Sequence, residues 1–255
     1  MLKEKAIKIV VMDFSGIYRR EQFGRYEVFW VEAKEIPGTN CYCDQEAMEL
    51  LRSKIAEFPA KGIHFLDSGN YHYMSRLWLE KIREPFRLLV LDNHTDMQLP
   101  AFGGLLSCGG WIAAALDELE NLQEVILAGP DREAFSRTEA EYQGKVRFLS
   151  REELKEQGAE GVRAFISALP VDLPLYISVD KDVLCPGEAD TAWSQGDMTL
   201  SELLDFLDKV AQRFASGGGR ILGVDICGES SVDGNTESRV NEKANRELLD
   251  FFAGK

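Results

Sequence analysis

The chain has 255 residues, with 43 Asp and Glu against 29 Lys and Arg and a formal charge of −14 at pH 7. That balance argues against nucleic acid or an anionic membrane as a partner, and the length is enough to bury a substantial core. The five cysteines, Cys41, Cys43, Cys108, Cys185 and Cys227, are an odd number in a chain of this size and do not read as a disulfide framework.

In chain order, the first apolar run, within MLKEKAIKIVVMDFSG, is too short and too charge-interrupted for a signal peptide. No later stretch approaches a membrane span, so a cytoplasmic protein is expected. Strands are predicted at 6–14, 62–69, 86–94, 124–130, 145–150, 173–184 and 220–228. Helices are predicted at 44–58, 71–83, 109–120, 151–168, 199–215 and 238–252. The alternation predicts an α/β architecture, a mainly parallel sheet with helices on both faces and therefore three layers. Ser150-Arg-Glu-Glu153 reads as a capping box, and SGGGR at 216–220 as a helix stop. No linker or repeat divides the chain, so residues 1–255 are expected to form a single domain. The segment 14–44 is the least regular, with a hairpin and a lid near the active face both open. Cys41-Tyr-Cys43 lacks the second pair that a zinc finger needs, and two ordinary thiols are expected there.

In a parallel sheet, ligands gather beyond the carboxyl ends of the strands. Three such ends carry metal-capable groups: His72 just beyond the second predicted strand, Asp92-Asn-His94-Thr-Asp96 at the end of the third, and Asp180-Lys-Asp182 at the end of the sixth. A strand places residues i, i+2 and i+4 on one side, so these groups are expected to converge. Two carboxylates about 4 Å apart repel by roughly 4 kcal/mol at an effective dielectric of 20, which calls for a proton or a cation between them. Four carboxylates and two imidazoles favour manganese over a thiolate-bound zinc site.

LDNHTD resembles the Asp-Ala-His-x-Asp motif of the arginase and agmatinase family, which includes formiminoglutamase. SVDKDVLCP resembles that family's Ser-x-Asp-x-Asp-x-x-Asp-Pro motif, and SGNYHYMS is similar to its Gly-Gly-Asp-His-Ser. The resemblance implies an arginase-deacetylase-like fold with about eight strands, usually in a homo-oligomer. It also implies two Mn(2+) ions, with Zn(2+), Fe(2+) or Ni(2+) able to use the same donors. His72 and Asp96 would hold one ion, His94 and Asp182 the other, with Asp92 and Asp180 bridging. The implied activity is hydrolysis of a C–N bond in a guanidino, formimino or related small molecule by a metal-bridging hydroxide, with Asp96 passing the proton.

The chain departs from the family motifs at several places. Asn70-Tyr71 replaces Gly-Asp, Asn93 replaces Ala beside the metals, Cys185 replaces the Asp before Pro186, and Cys108-Gly109 stands where arginases carry His-Gly. Glu229, one residue later than the family's glutamate in Asp-x-x-Glu, is the candidate partner for a cationic substrate, with Cys108 and Asn93 as further substrate-binding candidates. A cysteine nucleophile at Cys108 has little support: of the three histidines, two are claimed by metals and His64 lies inside a strand. Two rival functions share the fold: a single-zinc deacetylase-like amidohydrolase, and a non-catalytic metal-binding relative.

Overall fold

The computed structural model describes residues 7–18, 20–24, 26–99, 105–230 and 239–254. Strands are β1 (Ile9–Asp13), β2 (Val28–Glu32), β3 (Tyr42–Cys43), β4 (Ile63–Phe65), β5 (Phe86–Leu91), β6 (Leu106–Ser107), β7 (Leu122–Ala128), β8 (Val146–Leu149), β9 (Leu175–Asp180) and β10 (Ile221–Cys227). Helices are α1 (Gln45–Lys54), α2 (Met74–Leu79), α3 (Trp111–Glu118), α4 (Arg132–Ser136), α5 (Ala140–Gln143), α6 (Arg151–Ser167), α7 (Leu200–Ser216) and α8 (Arg239–Ala253).

Eight strands form one sheet in the order β2-β1-β4-β10-β9-β5-β7-β8. Every pairing within it is parallel. The central strands are buried on both faces, which is why they read as continuous apolar runs. Successive residues nonetheless serve different layers. Val10, Leu88, Val90, Val125 and Leu127 pack with Leu51 of α1, Trp78 of α2 and Trp111 of α3. Ile9, Val11, Leu89, Leu91 and Ile126 pack with Ile166 of α6, Phe206 of α7 and Leu248 of α8. Two cores thus sandwich the sheet, as alternation along each strand requires.

Helix ends follow local chemistry. Ser150 Oγ accepts from the Glu153 amide while the Glu153 carboxylate accepts from the Ser150 amide, closing the predicted capping box. Helix α7 ends at Ser216, and Gly218 then turns the chain at φ +76°.

Segment 14–44 is not a hairpin. Its strand β2 runs parallel to β1 at the sheet edge, while β3 pairs antiparallel with β6 in a separate ribbon. Residues 131–143, outside any predicted element, form the short helices α4 and α5. His64 stays in the core, stacked on Trp78 with ring centroids 3.7 Å apart, and burial lowers its pKa to about 3. It is therefore neutral at physiological pH.

Candidate metal centre and cleft

Because the strands are parallel, the carboxyl ends of β4, β9 and β5 open on one edge, and the six predicted donors meet there. The convergence does not come from strand alternation. Strand β5 stops at Leu91, so Asp92, His94 and Asp96 lie on the loop that follows, and Asp96 takes a left-handed backbone (φ +47°) that turns its carboxylate back. Asp180 closes β9, whereas Asp182 sits in a single 3-10 turn over Lys181–Val183. Backbone amides hold these loops in shape. The Asp92 carboxylate accepts from the His94 amide at 2.6 Å, Asp180 from the Asp182 amide at 2.9 Å, and Asp182 from the Asn93 amide at 2.9 Å.

Two donor groups result. His72 with Asp92 and Asp96, and His94 with Asp92 and Asp182, each place their ligand atoms within 4.8 Å of one another. Asp92 belongs to both. Asp180 Oδ2 lies 3.4 Å from His72 Nδ1, beside the first group. Both histidines turn Nδ1 toward the carboxylates: His72 Nδ1 is 3.1 Å from Asp96 and 3.3 Å from Asp92, and His94 Nδ1 is 2.8 Å from Asp182. Their Nε2 atoms are held from behind. His72 Nε2 lies 2.9 Å from Ser178 Oγ, which donates to the buried Asp225 at 2.6 Å, and His94 Nε2 lies 2.9 Å from Ser194 Oγ. Trp111 Nε1 donates to Asp96 Oδ2 at 2.7 Å and fixes that carboxylate.

Electrostatics show how much positive charge this cluster demands. Burial, then the neighbouring carboxylates, raises the pKa of Asp182 well above its ordinary value, raises Asp180, and brings Asp96 to about 6. Burial alone would lower both imidazoles. The carboxylates outweigh it, lifting His72 well above its usual range and His94 to about 11. Burial likewise acts to raise Asp92, but the two imidazolium groups hold it below the usual carboxylate range. The cluster therefore binds protons where it lacks other cations. Among the described residues Asp92 Oδ2 is buried without a hydrogen bond, with only the His72 Nδ1 ion pair at 3.3 Å beside it, which suits a carboxylate oxygen that takes a cation. The hard oxygen and imidazole donor set fits divalent manganese.

A cavity of about 220 Å³ opens over these donors, lined also by Cys41, Tyr42, Gln98, Cys108 and Trp193. Of the three substrate-binding candidates, only Cys108 faces it. Asn93 turns away: its Nδ2 donates to the Ser194 carbonyl at 2.9 Å and its Oδ1 accepts from Arg151. Glu229 is neither a cavity wall nor a solvent-facing loop residue. It is buried, ion-paired with the fully buried Lys181 and bonded by Asn245 Nδ2 of α8 at 2.7 Å. The reason is the ammonium of Lys181, which is fully buried, is bonded to Glu229 and Asn245, and requires an anion beside it. Asp13 closes β1, its carboxylate accepting from the Gly16 amide and pairing with Lys34. Sequence reasoning gives Asp225 only as the aspartate of the Asp-x-x-Glu resemblance, without a site role, and does not single out Ser178 or Trp193. Ser178 opens the SVDKD motif and is readable there; Trp193 lies in a loop with no local signal.

Comparison with known proteins fits this geometry. The chain is 29% identical over 245 residues to an uncharacterized protein of Thermotoga maritima, covering 94% of this chain and 88% of that one. Among solved structures, the fold is similar to proclavaminate amidino hydrolase from Streptomyces clavuligerus (TM-score 0.67, 18% identity, 99% and 94% of the two chains). It is also similar to arginase from Bacillus caldovelox (TM-score 0.68, 16% identity, 99% of both chains) and to formimidoylglutamase from Bacillus subtilis (TM-score 0.68, 14% identity, 99% and 88%). The model of the arginase family matches residues 32–237, and the chain therefore belongs to the arginase family.

Proposed function

We propose that the protein is a binuclear manganese hydrolase of a C–N bond in a guanidino, amidino, formimino or related small molecule, acting as a soluble cytoplasmic homo-oligomer. The observation that carries this reading is the pair of donor groups sharing Asp92. A site for one ion would use Asp92, His94 and Asp182 and leave His72 and Asp96 buried with no role, which is why the single-zinc deacetylase reading ranks below it. His72 and Asp96 would hold one ion, His94 and Asp182 the other, with Asp92 and Asp180 between them.

Two divalent ions, when bound, supply a nucleophilic water near neutral pH and polarise the reacting group. The chain's own contribution is position and proton handling. Trp111 holds one oxygen of Asp96, leaving the carboxylate at the cavity wall to take a proton and return it to the leaving amine. Ser178 and Asp225 fix the ring of His72, and Ser194 fixes that of His94, so both Nδ1 atoms stay aimed at the cleft.

The test is metal analysis of the purified protein by plasma mass spectrometry, followed by a urea and ammonia release screen across guanidino and formimino compounds. About two manganese ions per chain with release from one class are expected for such a centre. No metal after reconstitution overturns the centre, and metal without release from any such compound overturns the activity.

A further inference from the structure

Two of the four large apolar side chains most exposed among the described residues, Tyr42 (50%) and Trp193 (43%), line the same cavity above the candidate metal centre. Exposed aromatic rings gathered at a cleft mouth mark a binding surface more often than a surface accident.

Trp193 is also held in place from several sides. Its indole Nε1 donates to Asn70 Oδ1 at 2.9 Å, and Asn70 Nδ2 donates to Asn40 Oδ1 at 2.8 Å, so three separate segments are tied together through the Asn70 side chain. The next residue, Ser194, bonds His94 through its hydroxyl and Asn93 through its carbonyl. The indole lies close against Gly69: a methyl at that position would come within 2.7 Å of Trp193 Cδ1, so only glycine leaves the ring where it is. Its centroid is 6.1 Å from that of His94, close enough to touch whatever His94 helps to bind. Asn70, one of the residues at which the chain departs from the family motifs, thus has a specific partner.

The charge of the cavity limits what lies against these rings. Among its described lining residues there are four aspartates and no lysine or arginine. Aromatic faces are themselves electronegative, so at the rim, away from His72, His94 and the ion sites, no described side chain offers a counter-charge to a carboxylate on the distal end of a substrate. At about 220 Å³ the space is below the range typical of drug-sized ligands.

We propose that Trp193, positioned by Asn70, and Tyr42 form an aromatic rim that selects substrates whose non-reacting end is a small, flat, apolar group without negative charge. This rests on the hydrolase site proposed above, and names its substrate class: aryl- or alkyl-substituted amidines, guanidines or formamides rather than amino-acid derivatives.

The test uses manganese-loaded protein and isothermal titration calorimetry with three probes: benzamidine, acetamidine and 4-carbamimidoylbenzoate, which adds a carboxylate to the aryl amidine. Benzamidine should bind about tenfold more tightly than acetamidine, the scale of one aromatic contact with its buried area. The carboxylated probe should bind more weakly than benzamidine. Trp193→Ala should bring the benzamidine-to-acetamidine ratio close to one, Trp193→Phe should keep part of it, and Asn70→Ala should lower it by freeing the ring. Equal affinities in the wild type, tighter binding of the carboxylated probe, or a ratio that Trp193→Ala leaves intact overturns the rim. Manganese content is measured on the same samples, so loss of the metal centre is read separately from failure of the rim.

Discussion

Replacing Asp96 by Asn should move stability and metal binding in opposite directions. Ligand atoms of Asp96 and Asp92 lie within 4.8 Å of each other, so two ionised carboxylates there repel by at least about 3.5 kcal/mol at an effective dielectric of 20. His72, 3.1 Å from Asp96, offsets part of this. The balance still opposes ionisation, because burial and Asp92 together raise the Asp96 pKa from 3.8 to about 6. Native protein without metal therefore holds this proton more tightly than the unfolded chain does. The stability linked to Asp96 is present below pH 4 and is lost as pH rises through about 6. A carboxamide in its place carries no charge, and its oxygen can still accept from Trp111. In EDTA-treated protein at pH 7.5, Asp96→Asn should raise the unfolding free energy by about 2 to 3 kcal/mol, and it should flatten the decline between pH 4 and 6. With manganese added, the order should reverse, since wild type gains stability as RT ln(1 + [L]/Kd) and the variant gains far less. Urea denaturation with and without manganese measures both arms. A metal-free variant less stable than metal-free wild type, or an unchanged manganese response, would refute the assignment of Asp96 as a strained donor.

Other perturbations test the frame around the cluster. Ser178→Ala should weaken manganese affinity by about 10- to 100-fold, because His72 Nε2 and Asp225 both lose the hydroxyl that links them; titration calorimetry checks this, and unchanged affinity would show that the His72 ring needs no such support. Lys181→Met should destabilise the fold by about 3 to 5 kcal/mol by stranding Glu229, while the double variant Lys181→Met with Glu229→Leu should recover much of the loss in urea denaturation. Gly129→Ala should lower both stability and metal content, since its methyl would fall 2.1 Å from the Asp92 carbonyl oxygen at a φ of +122°; normal metal content in this variant would mean that the Asp92 loop is not held there.

Most of the architecture was legible because parallel strands buried on both faces leave uninterrupted apolar runs, as in FRLLVL and LYISVD. The edge strand β2 was missed for the complementary reason. Val28–Glu32 is only half-buried over most of its length and sits among charged and glycine residues, so neither its period nor its boundaries stand out. The donors were legible as residue types at strand ends, but the geometry that joins them was not. A rule of strand alternation placed Asp92, His94 and Asp96 on one side, whereas the chain brings them together by leaving the strand and turning through a positive φ at Asp96.

The substrate side was least legible, and Glu229 shows why. A glutamate near the end of the last strand, beside an acidic cluster, reads as a partner for a cationic substrate. Local sequence cannot show that a lysine 48 positions away needs it more. An ammonium at zero exposure has no water to fall back on, so burial of Lys181 fixes the position of Glu229, and Asn245 of α8 completes the set. The same competition works in reverse at Trp193. Among the described residues the indole N–H of Trp193 bonds Asn70, which leaves its ring at the cleft, and the proposed rim would then recognise substrate through aromatic surface rather than through a charged anchor.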